Sequence, residues 1–175
     1  MSKGANNMKI LITGANGFVG KNLKAELLNR GFEVLSYDID TDPALLTQYA
    51  ASCDFVFHLA GVNRPKTDDE FMKGNFGFTS TLLDALKAAG NKAPVMLASS
   101  IQAERQNPYG ESKKAGEDLL FAYGKETGAP VLVYRFPNLF GKWCRPNYNS
   151  VIATFCHNIA HHEPITVNDP SVKLT

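Results

Sequence analysis

The sequence predicts an α/β fold, a doubly wound and mostly parallel sheet with helices on both faces. Three observations point there. Short apolar, β-branched runs alternate with longer stretches of helical periodicity along nearly the whole chain, the pattern of βαβ units. The first strand passes into the first helix through three glycines, Gly14, Gly17 and Gly20. The second strand ends in an acid, Asp38.

The elements follow in order. "KILITG" (Lys9–Gly14) is the first strand. "FVGKNLKAELLNRG" is a helix, with Val19, Leu23, Leu27 and Leu28 at helical spacing and Gly31 as its stop. "FEVLSYD" is the second strand, and "DPALLTQYAASCD" one short helix. "DFVFHLAG" is a third apolar run. "EFMKGNFGFTSTLLDALKAAG" predicts one long helix over Glu70–Ala89, stopped by Gly90. "PVMLASS" is the next strand, and Asn107 with Pro108 opens a helix running to about Gly128, an N-cap followed by proline at the first helical position. "PVLVYRF" is a strand, "NSVIATFCHNIAHHE" a helix capped by Asn149 or Ser150, and "PITV" a last short strand.

Composition removes several function classes. The chain has 175 residues, 44% hydrophobic and 20% charged, with a formal net charge of +1. That balance leaves no basic footprint for nucleic acid or an anionic membrane. No apolar run approaches the roughly 18 residues of a membrane span. The opening "MSKGANN" has no apolar core behind it, as a secretory signal would. Three scattered cysteines, Cys53, Cys144 and Cys156, argue against a disulfide framework and for a cytoplasmic setting. His157 and His161 share a helix face but lack the close third ligand a zinc site needs, so no metal is expected.

The glycines stand at G-x-x-G-x-x-G spacing. One makes the turn, one lets backbone approach a pyrophosphate, and one lets the helix pack on the strand. The diphosphate then sits on the helix N-terminus, where unpaired N–H groups favour an anion. Asp38 follows about 20 residues on, where a ribose-hydroxyl partner belongs. A carboxylate there repels a 2′-phosphate, which favours NAD over NADP; Asp40 is an alternative for the role.

In "NPYGESKKAGEDL", Tyr109 and Lys113 lie one turn apart on one helix face. An exposed pair on an amphipathic helix would look the same. Beside a dinucleotide loop, the pair reads instead as a proton donor and the ammonium that lowers its pKa toward the working range.

Taken together, TGxxGFxG at Thr13–Gly20, "HLAG" at His58–Gly61, Asn75 ahead of "LLDAL", "ASS" at Ala98–Ser100, YxxxK at Tyr109–Lys113 and "RFPNLFG" at Arg135–Gly141 resemble the extended short-chain dehydrogenases/reductases that act on nucleotide sugars. The motifs occur in the family order. The resemblance implies a Rossmann-like fold and places cofactor contacts at Gly14, Asn16, Gly17, Phe18, Val19, Gly20, Asp38, Leu59, Ala60, Gly61, Tyr109 and Lys113. Catalysis falls to Ser100, Tyr109 and Lys113, with Ser100 holding the carbonyl oxygen and Ser99, pointing to the other face, as its alternate. Asn138 matches the asparagine that meets the sugar nucleotide's diphosphate, although a turn asparagine after Pro137 is also a simple reading. Arg145 and Asn147 suit the UDP moiety in a loop that carries Trp143 and Tyr148. Asn75 would order the site from a facing helix or be structural, and Arg135 would contact substrate or form an ion pair at the strand end.

"HLAGVNRP", "SSIQA", "NPYGESK" and "PNLFGKWCRPNYNSVIATFC" are similar to one branch in particular, the bifunctional capsular-polysaccharide enzymes whose N-terminal half reduces a UDP-linked deoxy-amino keto sugar. That branch uses NADPH, against the NAD that Asp38 favours, so both cofactors stay open. Ile101-Gln102 stand where a 4,6-dehydratase carries Asp-Glu, which removes that reaction. A C4 epimerase uses the same triad and is the alternative; a catalytically weak NAD(P)-binding module is the alternative of another class. The expected organisation is an extension over 1–7, a dinucleotide-binding domain over 8–148, and the truncated start of a substrate-binding region over 149–175. The expected partners are a UDP-sugar and a second copy of the chain in a homodimer.

Overall fold

The computed structural model describes residues 7–167 and 169–171. It divides into two compact units, Met1–Arg135 and Phe136–Thr175.

The first unit is built on five strands: β1 (Lys9–Thr13), β2 (Glu33–Tyr37), β3 (Phe55–His58), β4 (Val95–Ser100) and β5 (Val131–Phe136). They lie in the order β2-β1-β3-β4-β5. The ladders of β1 with β2, β1 with β3 and β3 with β4 are parallel, and Thr13 pairs in register with Tyr37 on one side and His58 on the other. The residues of β1 explain the double winding. Ile10 and Ile12 face one layer, with Leu23 and Leu27 of α1 (Phe18–Asn29). Leu11 faces the opposite layer with Val56, Val95 and Leu97. There it meets Leu82, Leu83 and Leu86 of α4 (Phe78–Ala88) and Leu120 of α5 (Pro108–Thr127). Period-two alternation in a central strand thus supplies two cores at once. Burying each of these leucines stabilises the fold by about 1.5–3 kcal/mol before entropy is counted.

Between β2 and β3 lies one short helix, α2 (Ala44–Ser52), as the sequence predicts. The predicted long helix over Glu70–Ala89 runs unbroken over 69–88 but is not α-helical throughout. A single turn, α3 (Asp69–Phe71), leads into a wide-turned π segment over Met72–Gly77, and α4 follows. The extra residue in that turn carries the Asn75 side chain inward, where it is 5% exposed. The expected cap of α5 is present: Asn107 Oδ1 accepts a hydrogen bond from Gly110 N at 2.8 Å. Gly128 ends that helix at φ 75°.

The second unit contains α6 (Val151–Ala160), whose cap is Ser150, its Oγ accepting from Ala153 N at 3.2 Å. "PITV" is not a strand: Pro164–Val167 has no ladder among the described residues. The run begins with a proline that cannot donate, and the Pro164 carbonyl accepts instead from Asn158 Nδ2 at 2.8 Å.

Candidate active site

The site residues of the first unit gather at the C-terminal ends of β1, β3 and β4, where parallel sheets bind ligands. β1 ends in the glycine loop. Gly14 adopts φ +71°, and a Cβ there would lie 2.7 Å from Ala60 N. A Cβ on Gly20 would lie 2.1 Å from the Gly14 carbonyl oxygen. The loop is therefore compressed onto the "LAG" turn and onto its own helix to a degree only glycine permits. No side chain caps the N-terminus of α1. Its first amides face outward past Asn16 and Gly17, which are exposed, and Phe18 and Val19, which are half-buried. This cradle fits a dinucleotide diphosphate.

Asp38 stands beside it. Its Oδ2 accepts from Asn16 N at 2.7 Å, and its Oδ1 from Ile39 N at 2.8 Å. Asp40 reaches the same loop less closely, its Oδ1 lying 3.4 Å from Asn16 Nδ2. Both carboxylates thus flank the loop, with Asp38 the better placed.

β3 delivers His58, then Leu59, Ala60 and Gly61. His58 is 1% exposed. Its Nδ1 is 2.6 Å from Thr13 Oγ1 and its Nε2 is 2.8 Å from Thr79 Oγ1. Thr79 donates its own proton to the Asn75 carbonyl at 2.5 Å. It must therefore accept from Nε2–H, which leaves Nδ1 to accept from Thr13. Burial, with the nearby Lys113 charge second, pushes the imidazole pKa down to about 3, so the ring is neutral. Asn75 continues the chain. Its Oδ1 accepts from Val62 N at 2.9 Å, and its Nδ2 donates to Val62 O at 3.0 Å and to Ser112 Oγ at 2.9 Å. Ser112 donates to the Tyr109 carbonyl at 2.7 Å. Asn75 thus ties the loop after β3 to the helix that bears Tyr109.

β4 and α5 bring the reactive groups together. Ser99 and Ser100 point to opposite faces, as strand geometry requires. Ser99 Oγ donates to Glu117 Oε1 at 2.6 Å, away from the site. Ser100 Oγ accepts from Gln102 N at 3.1 Å, and its hydroxyl lies near enough to the Tyr109 phenol to oppose part of the rise in its pKa. The short connection between them is a 3-10 turn, Ile101–Glu104. Gly110 packs on that turn: a Cβ there would lie 2.4 Å from the carbonyl oxygens of both Gln102 and Arg105. Its lack of a side chain thus makes room for the turn's backbone. Lys113, 9% exposed, donates from Nζ to the Ala98 carbonyl at 2.7 Å.

The expected lowering of the Tyr109 pKa is overturned. Burial raises it, and the Ser100 hydroxyl offsets only part of that. The reason lies in Lys113, whose ammonium is drawn to the Ala98 carbonyl and is itself pushed down to about 8 by burial, with Glu117 opposing. Phe71 adds to the dry surroundings, its ring centroid 5.5 Å from that of Tyr109.

Arg135 resolves to an ion pair. It joins Glu117 through Nε at 2.8 Å and Nη2 at 2.6 Å, and Glu104 through Nη1 at 2.8 Å. Asn138, Arg145 and Asn147 belong to the second unit, where all three are exposed and Asn147 takes φ 54°. The sequence alone missed His58, Ser112 and Glu117 as working residues. Glu117 had one visible signal, its spacing of four from Lys113.

Residues 10–172 match the model of the NAD dependent epimerase/dehydratase family. The chain is similar to a UDP-2-acetamido-2,6-beta-L-arabino-hexul-4-ose reductase of Pseudomonas aeruginosa, with 50% identity over 96% of this chain and 45% of that protein. It is also similar to the crystal structure of the capsular polysaccharide assembling protein CapF from Staphylococcus aureus. There the TM-score is 0.85 and the identity 52%, over 95% of this chain and 46% of that one. MoeE5 in complex with UDP-glucose and NAD matches at TM-score 0.74 and 26% identity, over 86% of this chain and 60% of that one. The chain thus spans about half the length of the reductase and of CapF. The matched span, the parallel sheet and the glycine loop agree: the chain belongs to the NAD dependent epimerase/dehydratase family.

Proposed function

We propose that this chain carries the cofactor site and the catalytic groups of a reductase acting on a UDP-linked deoxy-amino keto sugar in surface polysaccharide synthesis. The observation that carries the reading is the Ser100–Tyr109 hydroxyl pair beside buried Lys113, at the strand ends next to the glycine loop. The 50% identity to a hexul-4-ose reductase supports the substrate class.

A nicotinamide dinucleotide, when bound, supplies the hydride. Gly14, Gly17, Gly20 and the open α1 amides would hold its diphosphate, and Asp38 the adenosine ribose. Tyr109 keeps its proton at neutral pH, because burial holds the phenol above its usual range. That suits a donor to a carbonyl oxygen gaining negative charge. Ser100, beside the phenol, presents a hydroxyl to the same oxygen and fixes where it must sit. Lys113 lies within reach of Gly61 and orients the cofactor there: its Nζ would be 3.6 Å from a Cβ on that glycine. Asn138, Arg145 and Asn147 are assigned to the sugar nucleotide. The family resemblance supports a cytoplasmic homodimer as the working form. No helix among the described residues is long and apolar enough to cross a membrane.

The test is oxidation of NADPH or NADH by the purified chain when a UDP-linked 4-keto-6-deoxy-2-acetamido sugar is added. Turnover in the wild type and its loss in Tyr109→Phe support the reading. Interconversion of C4 epimers without net cofactor oxidation would replace it with the epimerase. Cofactor binding without either reaction would leave only a binding module.

A further inference from the structure

Two side chains of α5, one turn apart, dock on consecutive residues of β4. Lys113 Nζ donates to the Ala98 carbonyl, and Glu117 Oε1 accepts from the Ser99 hydroxyl. Both heads are buried, Lys113 at 9% and Glu117 at 2% exposure. A buried ammonium bonded to a neutral carbonyl needs an opposite charge nearby. Glu117 is the carboxylate on its own helix face at i+4, and Arg135 and Ser99 fix it in place. Arg135 extends the cluster to Glu104 of the turn that follows Ser100. Lys113 and Arg135 stand against Glu117 and Glu104, and Lys114, whose charge also acts on Glu117, is paired with Asp118 on the exposed side.

The other charged groups on elements packed around α5 face elsewhere. Lys73 pairs with Asp69, and Lys87 with Asp84 and Glu126. His58 of β3 is neutral and engaged by Thr13 and Thr79. Tyr109, one turn before Lys113, is a neutral phenol beside Ser100. From β4, Ala98 and Ser99 offer only a carbonyl and a hydroxyl.

We infer that Glu117 is a positioning residue of the catalytic site: it is the counter-charge that keeps Lys113 cationic, and through Arg135 and Glu104 it ties that charge to the turn holding Ser100. This deepens the proposed function and rests on it only for the use made of Lys113. Removing the carboxylate leaves Lys113 and Arg135 as two neighbouring cations with Glu104 alone on the exposed side, so the amine loses its proton more readily.

The experiment is an NMR titration of the full chain with 13Cε-labelled lysine, the Lys113 signal identified by its loss in Lys113→Met. It needs neither cofactor nor sugar, so failure of the functional reading leaves it standing. The wild-type midpoint is expected near 8. In Glu117→Gln it falls to about 7 or below, and Glu117→Asp restores an intermediate value. Glu117→Gln strands Arg135 and could unfold the chain, so Arg135→Gln provides a second reading. It keeps the carboxylate, removes the competing cation and moves the midpoint upward. A Lys113 midpoint within a few tenths of wild type in whichever of these variants folds overturns the inference.

Discussion

The imidazole of His58 and the hydroxyl of Thr13 meet across the β1–β3 ladder at 2.6 Å, and the threonine is the donor. On its other side the ring donates to Thr79, so both nitrogens are satisfied only in the neutral form. A proton added at Nδ1 would face a hydroxyl already committed inside a dry core.

Stability should therefore fall as pH drops through the histidine range. The folded pKa is depressed to about 3, so the unfolded chain binds the extra proton between its ordinary value near 6.5 and about 3. Within that window the His58 contribution declines by about 1.4 kcal/mol per pH unit and is fully present only above it. Urea midpoints measured from pH 7 to 4.5 should fall more steeply in wild type than in His58→Gln. Parallel slopes would show that the ring accepts a proton in place.

Gly20→Ala and Gly31→Ala separate crowding from backbone strain. At Gly31, φ is +80° and nothing lies near the missing Cβ, so alanine costs about 1–2 kcal/mol. At Gly20 the Cβ would lie 2.1 Å from the Gly14 carbonyl oxygen, and the loop or α1 must move. Denaturation should show the larger loss at Gly20, with dinucleotide affinity lost there and kept at Gly31. Equal affinities would remove the glycine loop from the cofactor site.

Gly110→Ala should act on turnover rather than on binding. Its Cβ would press on the carbonyls of Gln102 and Arg105, displacing the turn that orients Ser100 while leaving the glycine loop untouched. Turnover is expected to fall by roughly tenfold to a hundredfold with the cofactor Kd unchanged. Unchanged turnover would mean that the placement of Ser100 does not matter.

Asp38→Ala should shift preference toward NADPH by roughly tenfold, because a carboxylate beside the loop repels a 2′-phosphate. Comparing Kd values for NADH and NADPH in the two proteins checks this. No change would show that Asp38 serves only its hydrogen bond from Asn16.

Features that obey local rules were legible in the sequence. The glycine spacing, the Asn107 cap and the opposite facing of Ser99 and Ser100 each follow from a few neighbouring residues. The buried polar partnerships were not, because His58 finds Thr13 across 45 positions and Glu117 finds Ser99 and Arg135 across 18 each. The π segment escaped notice because an apolar pattern over Glu70–Ala89 does not reveal one added residue in a turn. "PITV" has the composition of a strand, but a strand exists only where a second one pairs with it. The sign of the Tyr109 shift depended on where the Lys113 ammonium points, which spacing along a helix does not determine.

The central claim is a dinucleotide site joined to a carbonyl-reducing triad. It is tested most directly by titrating the 175-residue chain with NADPH and NADH while following nicotinamide fluorescence. Saturable micromolar binding of at least one of them is expected, lost in Gly20→Ala and retained in Tyr109→Phe. Absence of binding by both in a folded wild-type chain would contradict it.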